Sequence, residues 1–312
     1  GPRRRKGIRN RRRTLYRLNM TSQSQRVFLL PERRRFAGQS AGRQWCKRFA
    51  RMVESRGASG ETAQLQRHFQ CLPSPWAMAA ICRQAEFGDA SDSLWMRADP
   101  IHLRIEMRGA RVMAWDTLQV SEQDSRAMFN ALRPVFGDAG YVLSQGVRGC
   151  FYIKITRGTP VPEFAPAPAI LGSDLYAILP DDRKWTALFN ECQVILHNHP
   201  MNADRIRDGK MAINGLWFWG QGVLPEALRH GFIKVVSEAN DLQALAAFVG
   251  VDPASERKNT LIDCRHIRDW SLLESCLPAD DGFLLDFSDG TIWNWQQPFK
   301  WYFWRRNSFG FS

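Results

Sequence analysis

Residues 99–107, Asp-Pro-Ile-His-Leu-Arg-Ile-Glu-Met, narrow the fold more than any other stretch. Ile101, Leu103, Ile105 and Met107 alternate with His102, Arg104 and Glu106. A period of two places one set on a buried face and the other toward solvent, which is a half-buried strand. Arg108-Gly109-Ala110-Arg111 turns the chain, and VMAWDTLQV brings it back. Ser121 with Asp124 three residues on is a cap-like helix opening. That helix carries Met128, Leu132, Val135 and Phe136 inward and stops near Gly137 and Gly140. YVLS and CFYIKIT then form a second hairpin. Residues 94–158 therefore read as an antiparallel β-β-α-β-β unit, with hairpins at 99–120 and 141–156. TPVPEFAPAP (159–168) bounds it, because its prolines exclude ladder pairing.

Beyond that boundary the period changes. In DRKWTALFNECQVILHNH (182–199), Trp185, Leu188, Phe189, Cys192, Ile195, Leu196 and His199 recur at spacings of three and four, predicting an amphipathic helix. Pro200 ends it, since the residue before proline avoids helical ψ. Asn202 is expected to cap a short helix that Gly209 terminates. LWFW (216–219) reads as a buried strand. FIKVVS (232–237) and TLIDC (260–264) alternate with helices at 241–250 and 266–276, a β-α-β rhythm that predicts a parallel or mixed sheet. GFLLDF-SDG-TIWNW closes with a hairpin turned at Asp289-Gly290. Upstream, residues 20–93 read as mainly helical, with one short strand at 27–31, a helix at 41–55 and a helix opened by Pro75 and closed by Gly88. The expected fold is mixed α/β (α+β): a central mixed sheet with flanking helices and three antiparallel hairpins. Residues 169–312 form its α/β region, and 94–312 are compatible with one domain.

The formal net charge of +12 is concentrated at one end. Residues 1–19 carry nine of the 43 Arg and Lys and no acid, so residues 20–312 hold 34 basic against 31 acidic residues. The leader is read as upstream or non-native sequence and set aside. The folded part has no strong bias toward nucleic acid, which is not expected as a partner. The tail Trp301-Tyr302-Phe303-Trp304-Arg305-Arg306 is expected to dock on the core rather than serve as a stacking platform. No apolar run approaches the ~18–20 residues of a membrane span. Seven widely spaced cysteines with no CxxC pair fit reduced thiols and a cytoplasmic location.

Candidate chemistry centres on NECQVILHNHPMN (190–202). His197 and His199 are two apart, which separates them by roughly 200° on a helix, so they cannot chelate one ion as an i, i+4 pair does. No metal ligand set and no cofactor are assigned. There is no GxxxxGK[ST], GxGxxG or GxSxG. A pocket, if formed, is expected from Asn190, His197, His199, Asn202, Asn214, Trp217 and Trp219, with Asp99 and His102 joining it.

NECQVILHNHPMN followed by INGLWFWGQGVLP, with Arg205 and Gly209 between them, resembles the signature of a proteobacterial group often labelled phosphoglycerate mutase. LWMRADPIHLRIEM and the closing FWRR match further parts of that pattern. The resemblance covers roughly residues 27–306 and is strongest over 94–107 and 185–225; within the group it points to the xanthomonad regulatory protein E family of the regulation-of-pathogenicity-factors cluster. It adds Arg205 to the candidate site. The mutase label implies phosphotransfer through a hydroxyl nucleophile beside two divalent ions (Mn or Mg), held by carboxylates and histidines about 3.5–4 Å apart. The six histidines, at 68, 102, 197, 199, 230 and 266, form no DH or DGH cluster, and Asp280-Asp281-Gly282 reads as a turn. The leading expectation is a non-catalytic or weakly catalytic regulatory protein that binds a small-molecule ligand or a regulatory protein partner. The alternatives are a metal-dependent phosphotransfer enzyme and, third, a nucleic-acid-binding regulator.

Overall fold

The structure is a computed structural model of the 312-residue chain. It describes residues 25–73, 75–107, 109–248, 259–278 and 282–295. The basic leader, the aromatic tail and the Asp280-Asp281 turn lie outside the described residues.

The first part of the chain forms β1 (Arg26–Leu30), α1 (Arg43–Phe49), β2 (Val53–Arg56), α2 (Glu61–Gln66), β3 (Gln70–Leu72) and α3 (Met78–Phe87). The middle forms β4 (Leu94–Glu106), β5 (Gly109–Ala114), α4 (Glu122–Asp138), β6 (Val142–Gln145) and β7 (Phe151–Ile155). Then come α5 (Leu175–Ile178), α6 (Arg183–His197), α7 (Met201–Arg207), β8 (Gly215–Val223), β9 (Ala227–Arg229) and β10 (Phe232–Val236). The last part forms α8 (Asn240–Ala247), β11 (Asn259–Asp263), α9 (Trp270–Cys276), β12 (Phe283–Phe287) and β13 (Thr291–Trp295).

A mixed six-stranded sheet has the order β10-β11-β1-β12-β13-β2. Its strands β10, β11, β1 and β12 are parallel, while β13 and β2 are antiparallel. The second sheet is the predicted β-β-α-β-β unit with β8 added: β4 pairs antiparallel with β7, β5 and β8. Pro100, which has no N–H, falls in the gap where β4 passes from β7 to β5. The capping box opens α4 as its sequence foretells, with Ser121 Oγ accepting from the Asp124 N–H and Asp124 returning the bond.

Burial follows the alternation. In β1, Phe28 and Leu30 join one apolar cluster with Trp45 and Phe49 of α1 and Trp270 and Leu273 of α9. Val27 and Leu29 join the other, with Leu242 and Leu245 of α8 and the interior of the second sheet. Gly220 and Gly222 of β8 are needed for close approach to α3: a Cβ on Gly222 would lie 2.5 Å from the Cβ of Ala77.

Several local expectations are corrected. Residues 20–93 are mixed, not mainly helical, since three strands of this segment join sheets completed by the C-terminal half. The helix expected over 41–55 stops at Phe49, and the exposed segment Val-Glu-Ser-Arg becomes β2 because β13 offers it a ladder. α3 begins at Met78 rather than at Pro75. α6 ends at His197, leaving His199 outside the helix. Asn202 is inside α7 and not its cap; Pro200, whose fixed φ is already helical, holds the N-cap position.

Candidate functional site

The ten sequence-derived candidates fall into three places. Asn202, Arg205, Asn214 and His102 stitch the α7–β8 join to β4 and α4. Asn202 Nδ2 donates to the carbonyls of Leu196 (2.7 Å) and Ile213 (2.9 Å), and its Oδ1 accepts from the Ile213 N–H (2.8 Å). Asn214 Oδ1 accepts from the Leu103 N–H (2.7 Å) while its Nδ2 donates to the Leu103 carbonyl (2.8 Å), so the side chain acts as an extra peptide unit prolonging β8 along β4. Arg205 is buried and donates to Asp124 Oδ2 (2.7 Å) and to the carbonyls of Leu118 (2.5 Å) and Met211 (2.9 Å). The half-buried His102 sets its Nδ1 against the Ala212 carbonyl (2.9 Å), which places the proton on that nitrogen. Asn214→Ala will leave two buried backbone groups of Leu103 unpaired, lowering stability by about 2–4 kcal/mol. The check is a lower urea midpoint at unchanged slope.

Asn190 and His197 form the second group. Both are exposed and seven residues apart on α6, hence on one face with the exposed Val194 between them. His199, half-buried beyond the helix end, accepts from the Met201 N–H through Nδ1 (3.2 Å). The structure does not bring this corner onto Asp99 through any hydrogen bond among the described residues.

The third group is the interior of the second sheet. Trp217 is a core residue whose Nε1 donates to the Ala165 carbonyl (2.8 Å). Asp99, only 2% exposed, gathers four donors: Trp115 Nε1 (2.9 Å), Trp219 Nε1 (2.8 Å), and Nε (3.1 Å) and Nη2 (3.2 Å) of Arg97. Arg97 and Asp99 share a face of β4, and Trp219 stands opposite Arg97 in the ladder with the guanidinium over its ring. Burial works against the Arg97 charge, but Asp99 together with Cys150, Cys82 and Tyr152 outweighs it, so its pKa lies well above the ordinary value.

A further convergence, absent from the sequence-derived set, lies on the mixed sheet. Parallel strands end on one edge, and open α/β sheets bind ligands outside the carboxyl ends of their strands. At that edge Ser237 follows β10, Asp263 ends β11, Asp286 lies in β12 and Asp289 follows it. Asp286, fully buried, receives Arg67 at both oxygens (2.6 and 3.0 Å) and His68 Nε2 at 2.7 Å. Asp289 pairs with Arg33 at 2.9 Å. Arg265 donates to Asp263 through Nε and Nη2, both at 2.9 Å, and reaches Asp241 at 3.2 Å and Glu61 at 3.5 Å. Ser237 Oγ donates to the same Asp263 at 2.7 Å.

The electrostatics are uneven. Burial raises the pKa of Asp263, yet hydrogen bonds and charge from Arg265 outweigh it and hold it below the usual value. Its contribution to stability is therefore present above the ordinary carboxylate pKa and lost as pH falls through the lowered one. Burial pushes Glu61 up, Asp241 and Asp263 push the same way, and Arg265 only partly opposes them. The sequence signal for this edge was Asp263-Cys264-Arg265, an acid and a guanidinium at the end of a predicted strand.

The mutase resemblance implies divalent ions, and this edge would be their natural place. Among the described residues no three His, Cys, Asp or Glu side chains are grouped so as to hold a metal ion. Asp263, Asp286 and Asp289 are each turned onto an arginine. These residues do not fit a two-metal centre. All seven cysteines are unpaired, and burial pushes Cys150, Cys192 and Cys264 up to about 12, where they are inert thiols.

No family model matches the chain. Part of it is similar to the 2,3-bisphosphoglycerate-independent phosphoglycerate mutase of Methanosarcina barkeri, with 24% identity over 176 residues, 52% of this chain and 44% of the relative. A probable enzyme of the same description from Geobacter sulfurreducens is 27% identical over 155 residues, 46% of this chain and 39% of the relative. The chain thus spans less than half the length of these curated relatives. Among solved structures, the cofactor-independent phosphoglycerate mutase from Thermoplasma acidophilum aligns over 88% of this chain and 90% of its own, at 13% identity and a TM-score of 0.36. The chain is mutase-like by this sequence similarity. Among the described residues no helix is long and apolar enough to cross a membrane.

Proposed function

We propose that this mutase-like chain is a non-catalytic or weakly catalytic regulatory protein that binds a small ligand or a protein partner. The observation that supports it is the arginine pairing of the strand-edge carboxylates: Asp263 with Arg265, Asp286 with Arg67, Asp289 with Arg33. Two-metal phosphotransfer requires carboxylates free to hold ions. The resemblance of NECQVILHNHPMN to a regulatory family supports the regulatory role. A ligand or partner lying along the exposed face of α6 would meet Asn190 and His197, with His199 just past the helix end, side chains not consumed by the core.

The names of the curated relatives favour a second reading, metal-dependent phosphotransfer on phosphoglycerate or another phosphate ester. Metal analysis of the purified chain, with mutase and phosphatase assays in Mn²⁺, separates the two. The expected result is no stoichiometric metal and little or no turnover above buffer. Bound metal at one or two equivalents, with turnover lost in Asp263→Asn, would establish the second reading instead.

A further inference from the structure

β2 ends the mixed sheet and is paired on one side only, with β13. All its residues are exposed. The ladder fixes where its free backbone groups point. Opposed residues of an antiparallel pair alternate between those that exchange N–H···O=C bonds and those that do not. The Gly57 N–H donates to the Gly290 carbonyl at 2.8 Å, one step beyond the pairing of Arg56 with Thr291. Gly57, Ser55 and Val53 are therefore the positions bonded to β13, and the N–H and C=O groups of Glu54 and Arg56 point outward. Among the described residues no hydrogen bond reaches those outward groups. The side chains of Glu54 and Arg56 share the face of Trp293, whose Nε1 donates to Glu54 Oε2 at 3.1 Å. Arg56 Nε stands 3.5 Å from Glu54 Oε1, and the two side chains are 72% and 45% exposed.

An open strand edge is a template for another strand. Its own residues decide which strand fits. A second copy can set these outward residues against its own about a two-fold axis at Glu54, Ser55 or Arg56. An axis at Glu54 opposes glutamate to glutamate, and one at Arg56 opposes arginine to arginine; like charges directly opposite are destabilising. An axis at Ser55 sets Glu54 of each copy against Arg56 of the other. Each such pair exchanges both backbone bonds and places opposite charges side by side. We propose that β2 is a self-association edge, on which a second copy of this chain adds antiparallel about Ser55 and joins the two six-stranded sheets into one. Charged residues ordinarily keep edges apart. Here their alternation of sign rejects the like-to-like registers and admits one. The edge is short, so the dimer forms with rising concentration and is not permanent.

The test is sedimentation equilibrium of the full chain over a concentration series up to its solubility limit. The wild type is expected to pass from monomer to dimer. Glu54→Arg and Arg56→Glu each turn both cross-pairs into like charges, and each is expected to weaken the dimer about ten-fold. Mixing the two variants restores opposite charges at both pairs, so the equimolar mixture is expected to associate as the wild type does. A wild type that stays monomeric throughout overturns the proposal. A dimer indifferent to both substitutions overturns it too, since the contact then lies elsewhere, and so does a mixture no more associated than its components. If either variant fails to fold, the wild type decides through salt: its dimer should loosen as NaCl screens the exposed pairs, and a dimer that NaCl leaves unchanged overturns the proposal.

Discussion

Asp99→Ala will lower the free energy of unfolding by about 3–5 kcal/mol, a fall in Tm of roughly 6–20 °C for a chain of this size. The substitution strips the buried Arg97 of its counter-ion and leaves the indole N–H groups of Trp115 and Trp219 without their acceptor. A guanidinium cannot shed its proton to escape burial. The reverse change will be milder. In Arg97→Met, Asp99 keeps both tryptophan donors, so its loss should be smaller than that of Asp99→Ala. Urea titrations of both variants, followed by tryptophan fluorescence, give the comparison. Equal losses would mean that the stranded charge is not what makes Asp99 indispensable.

Asp286→Leu is the second large effect, about 3–5 kcal/mol. It removes the fully buried acceptor of Arg67 and His68, which come from the end of α2, and so unfastens that segment from β12. Arg67 retains bonds to the carbonyls of Ala58 and Phe287 but no carboxylate. Combining Asp286→Leu with Arg67→Met should recover part of the loss, because an apolar pair replaces an ion pair at similar volume. A double-mutant cycle on chemical denaturation measures this coupling. A double variant no more stable than the single one would show that Asp286 acts through packing and not through charge.

Local order was legible where the signal was local. The β4–β5 hairpin, the Ser121–Asp124 box and the stripe of α6 each follow from residues within one segment. What escaped is what distant partners supply. Val53–Arg56 has no apolar alternation and becomes a strand only beside Thr291–Asn294. Sheet order was equally hidden, since β1 lies between strands more than 200 residues further along the chain. The candidate residues show the same division. Asn202 and Asn214 stood out as polar residues among apolar ones, and their amides are absorbed in backbone bonds that only the tertiary fold reveals. Asp99 drew attention beside Pro100, yet its partners Trp115 and Trp219 reach it from two other segments. Arg265 stands two residues from Asp263, but the other acids it meets lie at 61 and 241 and could not be read from its own segment.

The alternation along β1 has a mechanical corollary. Val27 and Leu29 belong to one apolar interior and Phe28 and Leu30 to the other, so a strand of five residues is the party wall between two rooms. A wall shared in this way passes load: swelling on one side displaces the backbone that frames the other. The helices α1 and α9 on one side and α8 on the other therefore rest on opposite faces of one backbone, and a shift of β1 is felt in both interiors.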